Sequence, residues 1–198
     1  MGPRVRSSCD HVGGPSHVEG PSHVDGTGLI DSTVLVVGSF PPIPTAAASA
    51  CVALAQEELA AGRHVVTVSP RASGASIVAN VTGFGGAARL VSLRRRCGAV
   101  RLVLSVESGW PVPPGALAAL WLFDHVTLVV SERDPSVLRT VARLRRGVDR
   151  VVVTGDAAHP DWVSEVARRV PGAVVVPRSV TLLARPMVGV TPLGVSSA

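Results

Sequence analysis

Three groups of residues in this sequence have types and spacings that chemistry uses. The first is Gly38-Ser39-Phe40-Pro41-Pro42-Ile43-Pro44, which follows an apolar run and leads into Thr45. A loop of this kind, ending at a helix N-terminus, can present amides to an anion or a sugar hydroxyl. Its prolines remove donors, so it suits a pyrophosphate poorly, and it reads equally well as a plain connection. The second group is TGFGGAARL, where Gly83, Gly85 and Ala88 fit G-x-G-x-x-A with Gly86 alongside, just before a helix. Glu107, at the end of the next strand, has the place of the acidic residue that bonds a ribose in dinucleotide sites. Against this reading, the glycines follow a complete βαβ unit instead of opening the first one.

The third group sits at the ends of apolar runs: Glu107 with Ser108, Ser131 with Glu132, and Thr154 with Asp156. Carboxylates in such places accept hydrogen bonds from sugar hydroxyls, or act as a base when desolvated. Read without a ligand, they are loop polarity and helix caps. Other chemistries find no support. Cys9, Cys51 and Cys97 are odd in number and far apart, which fits neither a disulfide framework nor zinc and points to a reducing cytoplasm. His64, His125 and His159 have no serine or cysteine partner at motif spacing, and no G-x-S-x-G elbow occurs. His11, His17 and His23 head a hexad repeat rich in Gly, Pro and Ser, a tract that holds no ligand geometry, so no metal and no obligatory cofactor are expected.

These residues must be positioned by elements, and the patterning supplies them. TVLVVG from Thr33 reads as a buried strand, and Thr45 caps a helix to about Ala61 with Ala48, Val52, Ala55 and Leu59 on one face and Gly62 as its stop. HVVTVS from His64 is a second strand. A helix over residues 87–96 ends at Gly98, and a third strand runs from Val100 to Val106. Pro113 and Pro114 open a helix to about Phe123, followed by strand His125 to Val130. Asp134 and Pro135 start a helix whose Val137, Val141 and Leu144 share a face. Strand Arg150 to Gly155, a helix through Trp162, Val166 and Val170, and strand Ala173 to Pro177 complete the series. Six apolar strands separated by helices predict a Rossmann-like, doubly wound, mostly parallel sheet in one α/β domain over residues 32–180. Residues 1–31 read as a low-complexity disordered tail, and 181–198 as a tail or short docking segment.

Composition bounds the partners. The chain has 198 residues, 46% of them hydrophobic, enough for one core. All 19 basic residues are Arg; Lys and Tyr are absent, and Asn and Gln occur once each, as a GC-rich bacterial coding sequence would give. The net charge of +5 therefore argues weakly for nucleic acid, and 3% aromatics supply no stacking platform around Trp110. The arginines at 94–96, at 143, 145 and 146, and at 168–169 fall in last helical turns, where the helix dipole favours them as a solvated face. The uncharged run from Ser32 to Gln56 is broken by Pro41, Pro42 and Pro44, so no spanning helix and no secretory signal are expected. Peripheral membrane contact through exposed arginines stays open, as does the oligomeric state.

The stretch VLVVGSFPPIPTAAASACVALAQEELAAGRHVVTVSP resembles the start of the N-terminal, acceptor-binding domain of GT-B glycosyltransferases of the retaining, family-four type. The likeness lies in a strand, a Pro-containing loop, a long helix and the strand Gly62-Arg63-His64-Val65-Val66-Thr67-Val68, and extends to VVVPRSV at the position of the interdomain linker. It implies that Gly38, Ser39, Phe40, Pro41 and Pro42, with Glu107, Ser108 and Glu132, line an acceptor pocket. Two departures from the family pattern stand out. Thr45-Ala46-Ala47 replaces the glycines that approach donor phosphates, and Val106 replaces the histidine before Glu107. The resemblance covers only the acceptor half; a complete transferase would draw its nucleotide-sugar site from a donor-domain partner. A nucleotide-binding module built on Gly83, Gly85 and Gly86, and a non-catalytic interaction protein, are the alternatives.

Overall fold

The computed structural model describes residues 33–70, 74–81, 85–108 and 115–179. Both terminal segments, Gly83, and Pro113 with Pro114 lie outside them. Among the described residues seven strands form one parallel sheet: β1 (Thr33–Val37), β2 (His64–Ser69), β3 (Ile77–Val78), β4 (Arg101–Val106), β5 (His125–Val130), β6 (Arg150–Thr154) and β7 (Val174–Arg178). Their order is β3-β2-β1-β4-β5-β6-β7, with every neighbouring pair parallel. The chain winds outward from β1 to β3, then returns to lay β4 on the free side of β1. The direction of winding reverses there, and the crevice above the carboxyl ends of β1 and β4 is where open α/β sheets place ligands.

The helices of the crossovers, among the described residues, are α1 (Ala46–Ala60), α2 (Gly86–Cys97), α3 (Ala116–Leu120), α4 (Pro135–Leu144) and α5 (Pro160–Arg169). The expected fold is present, with one strand more than the apolar runs announce. β3 is a two-residue edge strand, too short to leave a periodic signature. The helices are unevenly shared. Alternate strand residues such as Leu35, Val66, Leu102, Leu128 and Val151 pack in one core with Leu90, Leu120, Val141 and Val166 from α2 to α5. The intervening residues Val34, Val65, Val103, Val129 and Val152 pack with Ala50, Cys51, Leu54 and Ala55 of α1.

α1 alone thus spans much of one sheet face, and its composition fits that task. Eight of its residues between Ala47 and Ala55 are buried, and four of them are Ala, so the helix can lie close to the strands. Thr45 caps it, accepting from the Ala48 amide at 3.1 Å, as its type and position predict. The expected single stripe is corrected in two ways: burial wraps around the first half of the helix, and Leu59 is 37% exposed. α3 is also shorter than its prolines suggested, starting after Gly115.

Candidate functional site

Side chains alternate along a strand, so each run that sends a valine toward α1 sends its next-but-one residue the same way. Continued to the carboxyl ends, that alternation points Ser69, Gly38, Ser105, Ser131 and Thr154 toward α1, and all five are buried. The large residues stop where the helix begins. A Cβ built on Gly38 would stand 2.6 Å from Cys51 Sγ and 3.0 Å from Ser105 Cβ. One built on Gly155 would stand 2.6 Å from Ala46 Cβ. Small residues at these ends therefore let the first turns of α1 cross above β1, β4 and β6.

Glu107 stands where β4 leaves the sheet, on the α1 side by the same alternation. Ser39 Oγ, from the loop after β1, donates to Glu107 Oε2 at 3.0 Å. Ser105 Oγ, two residues back along β4, donates to Glu107 Oε1 at 3.2 Å. Each carboxylate oxygen thus holds one hydroxyl and keeps lone-pair capacity for another donor. The two hydroxyls come from the two strands that flank the reversal of winding, which fixes the carboxylate over the crevice. Ser39 and Ser105 are buried while Glu107 is half-buried, so the anchors are dry and the carboxylate remains reachable. One strand further, Glu132 Oε2 accepts from the Ser108 amide at 2.9 Å, tying the loop after β4 to the loop after β5.

Cys51 lies beneath this pair. Burial pushes its thiol from the ordinary 9.0 up to about 12, and the Glu107 charge adds to the effect while the Ser105 hydrogen bond opposes it. It is held as a neutral thiol, and a nucleophilic role is thereby disfavoured. Thr154, fully buried at the end of β6, has no hydrogen-bond partner for its hydroxyl among the described residues.

Of the residues singled out in the sequence, Ser39, Glu107, Ser108 and Glu132 come together at this edge. Gly38 supports them by admitting α1. Phe40 instead turns into the α1-side core with no exposure, whereas Pro41 is half-buried and Pro42 exposed, joined by a cis peptide bond. Gly85 and Gly86 open α2, Gly85 with φ +81°, and sit beside the start of α3, where a Cβ on Gly115 would lie 3.7 Å from Ala87. Ser105 was not foreseen. Its signal is the lone hydroxyl within the apolar run VRLVLSV, in step with Val103 on the α1 side. Among the described residues no group of three or more His, Cys, Asp or Glu is placed to hold a metal ion. No family model, curated protein or solved structure matches the chain.

Proposed function

We propose that this chain is a glycosyltransferase-like acceptor domain whose crevice binds a neutral polyhydroxyl group, a sugar or glycoside, through Glu107. The observation that carries the reading is the Glu107 carboxylate, fixed by Ser39 and Ser105 over the reversal between β1 and β4. A carboxylate is an acceptor only, and a partly dry one discriminates sharply between partners: it favours hydroxyl donors and repels phosphate. Glu132 on the next strand adds a second acceptor of the same sign. This electrostatic pattern favours a sugar over the anionic part of a nucleotide. The nucleotide reading through Gly85 and Gly86 draws its support from the left-handed Gly85 at the start of α2.

In the proposed role the chain orients one hydroxyl of the acceptor toward a donor sugar supplied by a partner. Glu107 would act by positioning and, where proton removal is needed, as the base. A saturation-transfer NMR titration of the full chain with methyl glycosides, UDP, GDP and NAD tests this. Glycoside binding is expected to weaken about ten- to a hundredfold in Glu107→Gln, the loss of one charge-assisted hydrogen bond. Nucleotide binding that survives Glu107→Gln and disappears in Gly85→Val would transfer the function to the other loop.

A further inference from the structure

The opposite edge of the sheet has a different chemistry. The last turns of α2 and α4, with the 3-10 turn that follows α4, carry Arg94, Arg95, Arg96, Arg143, Arg145 and Arg146. Helix dipoles explain why arginines stand there. They do not explain what stands between them. Trp121, which ends α3, is 62% exposed, and Leu122 beside it is 42% exposed. The indole rests against the turn after α4: a Cβ on Gly147 would lie 3.1 Å from its Cδ1, so a side chain there would push the ring outward by a few tenths of an ångström. Arg94 reaches over the Phe123 ring at 5.7 Å, joining the α2 arginines to the same patch. A cleft of about 260 Å3 opens beside the indole, lined by Arg146, Asp124 and Asp149 among others. One oxygen of the exposed Asp149 carboxylate, Oδ2, accepts from the Val126 amide at 2.7 Å.

We propose that this rim, Trp121 and Leu122 set between the arginines of α2 and α4, docks on an anionic lipid surface. The apolar pair decides among anionic partners. A tryptophan belongs at the level of lipid headgroups and a leucine beside it enters the acyl boundary, while the arginines meet phosphates. A nucleic-acid backbone offers the arginines the same partners and gives Leu122 nothing. Docked this way, the chain holds the Glu107 crevice at the far edge of the sheet, turned to the aqueous side. The inference stands independently of the sugar reading.

Flotation of the full chain with phosphatidylcholine vesicles, with and without phosphatidylglycerol, tests it. Binding is expected only with the anionic lipid and is expected to fall with salt. Each arginine near the surface contributes roughly fivefold, so Arg95→Gln combined with Arg145→Gln should weaken binding at least about tenfold. Leu122→Ser, at an exposed position, should weaken it further with the circular dichroism spectrum unchanged. Brominated lipid should quench indole emission in the native chain and lose most of that effect in Trp121→Phe. Absence of flotation, flotation indifferent to both Leu122→Ser and the arginine changes, or duplex DNA held as tightly as vesicles would each overturn the proposal.

Discussion

Cys51 shows how one residue can carry information about the whole chain. Its thiol is held near 12 by burial and by Glu107, against an ordinary 9.0. Below pH 9 both the folded and unfolded chains keep this proton and the stability is complete. Between pH 9 and about 12 the unfolded chain releases it and the folded chain does not. Stability therefore falls as pH rises, at up to about 1.4 kcal/mol per pH unit. In most proteins lysines and tyrosines would obscure this limb, but this sequence contains neither. Cys97, raised by its partial burial, adds in the same direction. Urea denaturation at intervals from pH 8 to 11 should show the decline, and Cys51→Ala should flatten it. A slope unchanged in that variant would mean that Cys51 is not the dry thiol between α1 and β4 described above.

Elements explain which parts of the fold were legible beforehand. Strands β1, β2, β4, β5, β6 and β7 are five- or six-residue stretches rich in Val and Leu, and their helices begin at residues such as Thr45 and Asp134 that cap by chemistry alone. β3 has two residues, and its pairing is decided by β2 beside it, so no local pattern marks it. Glu107, Ser108 and Glu132 were legible because acids at strand ends stand out. The pairing of Ser39 with Glu107 was not, since it depends on β1 lying beside β4, which is a fact of sheet order, and Ser105, two residues back on β4 itself, was hidden by the apolar run around it. The close seating of α1 was equally hidden, and two glycines measure it. Gly62 and Gly155 have φ of +77° and +59°, but a Cβ at Gly62 meets nothing within 4 Å while one at Gly155 meets Ala46 at 2.6 Å. Gly62→Ala should cost about 1 kcal/mol, the backbone penalty alone. Gly155→Ala should cost about 1–3 kcal/mol more, because α1 must move off the sheet. Equal losses in thermal denaturation would mean that α1 is not pressed onto β6.

At the scale of the molecule, the sheet formed by the described residues is open and ends in two edge strands, and an edge whose backbone groups have no partner is a template for another chain. β3 limits its edge by being two residues long. β7 cannot, since it has five residues and an exposed Val174. Its protection follows from the direction of its amides. The Val174 amide donates to Asp149 O at 2.9 Å, on the β6 side, so by alternation the amides of positions 175 and 177 face outward. Position 177 is proline, which has no amide to offer. Arg178 follows and turns back to Glu57 of α1, placing a charged pair at the end of the same edge. Pro177→Val restores an outward donor. It should strengthen self-association by up to about tenfold, the value of one added main-chain hydrogen bond. Sedimentation velocity over a range of concentrations measures this directly. An unchanged profile would show that something other than the proline keeps β7 from pairing.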